Sequence, residues 1–155
     1  AFDSAIEELQ KRHLFDALIQ LIKDKKPYLG LCLGYQLLFQ TSEESVQGLK
    51  GFGLVKGWVK RFHPGVKAPH MGWNQIELAG KCPYFSGIEN NSYFYFVHSY
   101  YADPVDKSLV SSWTDYGVKF ASSIYQDNIF ATQFHPEKSQ GAGLKVIENF
   151  VKKSG

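Results

Sequence analysis

Sulfur is scarce in this chain of 155 residues: two cysteines, Cys32 and Cys82, and one methionine, Met71. Two cysteines without paired spacing exclude a zinc-finger framework and allow at most one disulfide, so free thiols in a reducing cytoplasm are the simpler expectation. Because the only methionine is Met71, Ala1 is not a translation start, and an N-terminal portion is expected ahead of it. Long apolar runs are lacking too. None approaches the ~20 residues that span a bilayer, and no leader pattern opens the chain, so no membrane partner is expected. Charge of one sign is not in excess: 17 Lys and Arg against 15 Asp and Glu leave +2, which gives no footing for nucleic acid. A phosphate-cradling glycine loop is absent, and His70, His98 and His135 lie far apart without zinc-ligand spacing, so neither a cofactor nor a metal is expected.

What remains is an ordinary globular composition, 44% hydrophobic and 21% charged, in a chain long enough for one domain over 1–155 with its own core. Asp3 or Ser4 is a candidate helix cap, and Ile6, Leu9, Leu14, Leu18 and Leu21 keep an apolar stripe through two short helices that Lys25-Lys26-Pro27 stops. Tyr28 to Leu31 reads as a short buried strand. Tyr35 to Phe39 begins another helix, with Thr41 to Ser45 as its polar exit. The middle is β-rich: GLVKGWVKRF, MGWNQIEL, SYFYFVHSYY, SLVSSW, VKFASSIY and NIFATQF come at short intervals, divided by Gly, Asn and Asp. Leu144, Ile147 and Phe150 then mark a closing helix over 143–152. The expected class is α/β.

Glycine flanks one cysteine in Gly30-Leu31-Cys32-Leu33-Gly34. A strand, a sharp turn with a reactive residue at its apex, and a helix make a nucleophile elbow. Glycine is needed where strand and helix approach closely. The start of the helix is expected to lower the thiol pKa, and the Leu33 N–H faces the space where an oxyanion forms. A buried structural cysteine between packing glycines is the competing reading, and the motif alone does not choose. Cys82, in GKCPYF, lacks this setting and reads as a core or loop residue. A cysteine nucleophile needs a base. His13 and His63 read as surface and loop residues. His135 ends the buried run ATQF at a polar turn, His135-Pro136-Glu137, where Glu137 is placed to orient the imidazole.

GLCLGYQ (30–36) together with QFHPEKS (133–139) resembles the signature pair of the class I, triad-type glutamine amidotransferases. PHMGWNQI (69–76) and YFYFVHSYY (93–101), in that order between them, are similar to one branch, the glutaminase subunits of imidazole glycerol phosphate synthases in histidine biosynthesis. The resemblance runs from Ala1 to about Phe150. It implies a flavodoxin-like open sheet with helices on both faces. It implies that Cys32 attacks the glutamine side-chain amide, that His135 serves as base and then acid, and that Glu137 orients His135. Glutamine binding falls to Gly30 and Leu33 beside the nucleophile, to Gln36 a helical turn on, to Glu44 at the end of the same helix, facing the substrate ammonium, and to His98, Ser99 and Tyr100. Met71, Trp73 and Asn74 are implied contacts with a cyclase partner, a (βα)8 barrel that receives the ammonia in a heterodimer.

The chain departs from this family in one respect. A glycine-rich loop of the form P-G-V-G, which supplies the second oxyanion donor, and the strands around it precede the segment matching Ala1-Phe2 and do not occur here. The expectation is a domain lacking its N-terminal strands and part of its oxyanion hole. The competing readings are the glutaminase of an anthranilate or aminodeoxychorismate synthase, an inactive amidotransferase-like binding module, and a cysteine peptidase-like hydrolase, which Gln36 and Glu44 disfavour.

Overall fold

The computed structural model describes residues 1–155. Two helices open the chain, α1 (Phe2–Lys11) and α2 (Phe15–Lys23), joined where His13 takes φ +57°. Of the expected stripe, Ile6 is buried, Leu9 and Leu18 are half-buried against the core, and Leu14 and Leu21 stay 44% and 47% exposed; Phe2 in α1 and Ile22 in α2, outside the stripe, are buried beside Ile6. Neither Asp3 nor Ser4 caps α1, whose N-cap is Ala1. Asp3 lies inside the first turn instead. Its carboxylate accepts from Ser45 Oγ and from the N–H groups of Val46 and Gln47, which ties α1 to the loop beyond the elbow.

Strand β1 (Tyr28–Leu31) comes next, then α3 (Leu33–Gln36), a single turn, and β2 (Phe39–Ser42). The helix expected from Tyr35 to Phe39 therefore ends early. The carbonyls of Leu37 and Leu38 accept from Phe52 N at 2.6 Å and Leu54 N at 3.0 Å, so pairing with a distant segment takes the groups a longer helix would use. Each β-rich run contains a strand: β3 (Val55–Arg61), β4 (His70–Gln75), β5 (Glu77–Leu78), β6 (Tyr93–His98), β7 (Tyr100–Pro104), β8 (Val110–Asp115), β9 (Lys119–Gln126) and β10 (Ile129–Thr132). The closing helix, α4 (Gln140–Ser154), is longer than its apolar spacing suggests.

The main sheet has the order β1-β10-β9-β8-β5. β1 and β10 are parallel, and the other neighbours are antiparallel. A smaller sheet, β2-β3-β7, and the pair β4-β6 complete a mixed α/β architecture. β10 is buried along its whole length. Its Ile129 and Ala131 join one core cluster with Phe2, Ile6 and Tyr35, while Phe130 joins a second, aromatic cluster with Phe94, Phe96, Phe120 and Phe134. Alternation along a strand covered on both faces produces this division. No helix is long and apolar enough to cross a membrane.

Candidate active site

The β1–β10 register pairs Leu31 with Thr132. Parallel strands end at the same sheet edge, so Cys32 emerges beside Gln133, and His135 stands at that edge too. Cys32 N–H donates to Thr132 O at 2.7 Å, which holds the elbow to β10. The Cys32 backbone, at φ +49° and ψ −99°, is strained for a residue with a Cβ. Of the two flanking glycines, Gly30 is the one that close approach requires. A Cβ there would lie 2.7 Å from Gly34 O and 2.7 Å from Tyr28 Cε1, whereas one on Gly34 would meet only Tyr28 Oη at 3.5 Å. Tyr28 Oη donates to Gly34 O at 2.7 Å and fixes the turn.

Burial pushes the Cys32 thiol up, against the lowering expected from the helix start. The Leu33 N–H and the Gln133 side chain work in the other direction, and the carboxylates of Glu137 and Glu44 add to the rise. A single turn such as α3 aligns few peptide dipoles, so desolvation wins. The thiol's hydrogen-bond partners are Val97 O, as acceptor at 3.8 Å, and Gln133 Nε2, as donor at 3.5 Å; His135 is not among them.

His135 Nδ1 lies 2.6 Å from Glu137 Oε1. A carboxylate there accepts a hydrogen bond from Nδ1–H, which leaves Nε2 as the basic nitrogen. A short 3-10 turn over Pro136–Lys138 sets this spacing. Ser139 Oγ donates to His135 O at 2.6 Å and accepts from Tyr95 N at 2.9 Å, so the turn is fastened to β6.

The other expected residues divide. Gln36 is buried, and its Nε2 donates to Tyr100 O and to Gln133 Oε1, each at 3.0 Å. Glu44 does not end a helix, because β2 intervenes; it sits in the turn beyond and accepts from the Ala1 ammonium at 3.0 Å. His98 and Tyr100 end one strand and begin another, with Ser99 between them at the crossing from β6 to β7. Met71 and Trp73 are 61% and 47% exposed on one face of β4. Asn74 is on the opposite face with buried His70, and its amide donates to Asp115 O at 2.9 Å and contacts His70 Nε2 at 3.2 Å.

Two residues carry roles that the sequence alone does not disclose. Gln133 stands inside the QFHPE run, but only the three-dimensional path of β10 reveals that it reaches the thiol. His70 pairs with His98 across the β4–β6 register, with His70 Nδ1 and His98 Nε2 2.9 Å apart. Tyr100 O, 2.7 Å from His98 Nδ1, can only accept. His98 Nδ1 therefore carries a proton, its Nε2 accepts from His70 Nδ1–H, and His70 Nε2 accepts from Asn74. Both rings are neutral in this arrangement. Burial holds His70 down to about 4 and His98 down to about 3. The ring of His70 is stacked between Tyr116 and Phe96, with centroids 3.9 Å and 4.7 Å away.

The family model of class I glutamine amidotransferases matches residues 9–154. The chain is 52% identical over 150 residues, 97% of its own length, to the imidazole glycerol phosphate synthase subunit HisH of Methanocaldococcus jannaschii, of which it covers 74%. It is 47% identical, again over 97% of its length, to the HisH protein of Moorella thermoacetica, of which it covers 71%. Among solved structures, a glutamine amidotransferase superposes with TM-score 0.68 at 15% identity over 95% of this chain and 71% of that one. A glutamine amidotransferase from Thermotoga maritima does so with TM-score 0.60 at 17% identity over 94% of this chain and 57% of that one. At such identities these two matches speak for the fold alone.

Proposed function

Because the chain belongs to the class I glutamine amidotransferase family, we propose that it hydrolyses glutamine to glutamate and ammonia as the glutaminase subunit of an imidazole glycerol phosphate synthase in histidine biosynthesis. One observation carries the chemistry: a cysteine at φ +49° leaves β1 at the same sheet edge where β10 delivers a histidine 2.6 Å from a carboxylate.

Cys32 Sγ gives its proton to His135 Nε2 and bonds to the side-chain amide carbon of glutamine. The tetrahedral oxyanion faces the Leu33 N–H. His135 then returns the proton to the amide nitrogen, the C–N bond breaks, and ammonia leaves a thioester on Cys32. Water, deprotonated by His135, attacks the thioester carbon, and the thiolate departs with glutamate released. Glu137 accepts from His135 Nδ1 throughout and stabilises the imidazolium. Both hydrogens of the Gln36 amide nitrogen are directed at protein acceptors, so its carbonyl oxygen is the group left for substrate.

The partner is a cyclase, a (βα)8 barrel forming a heterodimer with this chain and receiving its ammonia. Exposed Met71 and Trp73 are apolar anchors suited to such an interface. The test is glutamate release from glutamine, measured with and without purified cyclase and its nucleotide ligand, beside a Cys32→Ser control. Release that rises with the cyclase and vanishes with the substitution supports the reading. Cyclase-stimulated release that persists in Cys32→Ser would overturn the nucleophile assignment. Trp73→Ala should weaken cyclase binding at least tenfold and leave basal glutamine turnover within about twofold, as expected of an interface anchor.

A further inference from the structure

Gln133 is fully buried, yet its side chain is polar and reaches the nucleophile. Its orientation is forced by its neighbours, one after another. Tyr100 O is a carbonyl and can only accept, so the Gln36 atom 3.0 Å from it is the amide nitrogen. That same nitrogen lies 3.0 Å from Gln133, so the Gln133 atom facing it is the carbonyl oxygen. The remaining end of Gln133 is then its NH2 group, and it lies 3.5 Å from Cys32 Sγ. A flipped Gln133 would set nitrogen against nitrogen on one side and remove the donor from the sulfur on the other.

We propose that Gln133 is a further catalytic residue: its carboxamide donates to Cys32 Sγ, stabilising the thiolate, and by accepting from Gln36 it fixes that side chain beside the nucleophile. This rests on the glutaminase reading for the role of the thiolate, but not for its geometry. The position needs such a donor. α3 is a single turn, His135 makes no hydrogen bond to the thiol, and the nearby carboxylates of Glu137 and Glu44 oppose its ionisation. Besides the Leu33 N–H, Gln133 is the group directed at the sulfur that favours the anion. Gln133 directly follows β10, and its own N–H donates to Ser122 O of β9 at 2.8 Å. The donor is thereby preorganised by the strand that also delivers His135.

Two substitutions separate its two bonds. Gln133→Glu keeps an oxygen toward Gln36 and removes the donor to sulfur. Gln133→Met removes both and adds no charge. Alkylation of Cys32 by iodoacetamide, followed by peptide mass because Cys82 is a second thiol, reads thiolate against pH without requiring turnover. In both folded variants the inflection should move up by about one pH unit, and the alkylation rate at neutral pH should fall about tenfold, as for loss of a hydrogen bond to a charged group. In glutamine hydrolysis Gln133→Glu should lower kcat with KM nearly unchanged, whereas Gln133→Met should also raise KM. A purely structural role would lower the melting temperature and leave the inflection in place, which overturns the proposal. In the unsubstituted chain, the side-chain NH2 resonances of Gln133 should titrate with the same inflection as alkylation, a measurement independent of how the variants fold. Flat resonances overturn the proposal too. A shifted inflection in a chain that never releases glutamate would keep Gln133 at the thiol and sink the glutaminase reading instead.

Discussion

At φ +49° and ψ −99° the Cys32 backbone occupies a region that glycine fills freely and that costs a side-chain-bearing residue about 1–3 kcal/mol. Cys32→Gly should therefore raise stability by about 1 kcal/mol or more in urea melts while abolishing glutamine hydrolysis. Unchanged or lowered stability would show that the thiol's contacts outweigh the strain. Gly30 presents the opposite case. Its missing Cβ is what lets Gly34 O and Tyr28 approach, so Gly30→Ala should cost about 1–3 kcal/mol and distort the elbow. The same melts check it. The residues at the centre of the site were legible in the sequence because their chemistry is local: Cys32 between glycines, His135 and Glu137 two apart on a proline-stiffened turn. Gln133 and His70 were not, because a glutamine and a histidine acquire meaning only from what another strand brings against them. Glu44 was placed on the wrong element for the same reason: its local sequence is polar and helix-compatible, and the pairing of β2 with β3 takes it away.

Elements reproduce this split between local and distant causes. The β-rich runs became strands because aromatic and β-branched residues between turn signals state that preference locally. The helix after Cys32 failed beyond one turn because Phe52 and Leu54 claim the carbonyls of Leu37 and Leu38. One contact between elements bears directly on the site. A Cβ on Gly143 of α4 would lie 1.9 Å from Pro136 O, the carbonyl opening the turn that carries Glu137. Alanine is the better helix former by about 1 kcal/mol, but a backbone clash this close outweighs that gain. Gly143→Ala should push the turn away from α4, lengthen the contact between His135 and Glu137, and lower kcat by about tenfold or more with little change in glutamine KM. Unimpaired turnover in this variant would mean that the turn's position does not govern the base.

Across the whole molecule the two cores meet on β10, and against the phenylalanines of the aromatic one packs an unusual load, the hydrogen-bonded pair His70 and His98. Both rings are neutral when folded, held down to about 4 and about 3, against an ordinary value near 6.5. The unfolded chain thus takes up protons at a higher pH than the folded one. Their contribution to stability is complete above about pH 6.5 and is lost as pH falls toward the folded values. Other groups shifted on folding, the carboxylates of Asp3, Asp103, Asp106 and Glu148, are lowered from values of 3.8 or 4.5, so their stabilisation fades at more acidic pH. The interval from about pH 6.5 to about pH 5 is then governed by the histidines. Between about pH 7 and pH 5 the unfolding free energy should fall by about 2–3 kcal/mol for the pair, after allowance for partial screening. Urea melts at the two pH values measure it directly. His98→Gln, which can keep a donor toward Tyr100 O, should remove roughly half of the pH dependence even if it lowers stability at both pH values. A wild-type chain equally stable at both would mean that the pair already carries a proton when folded. The one-way order of donors from Asn74 through His70 and His98 to Tyr100 O would then be wrong. The orientations of Gln36 and Gln133 would stand even so, because Tyr100 O accepts whichever protonation state the histidines take.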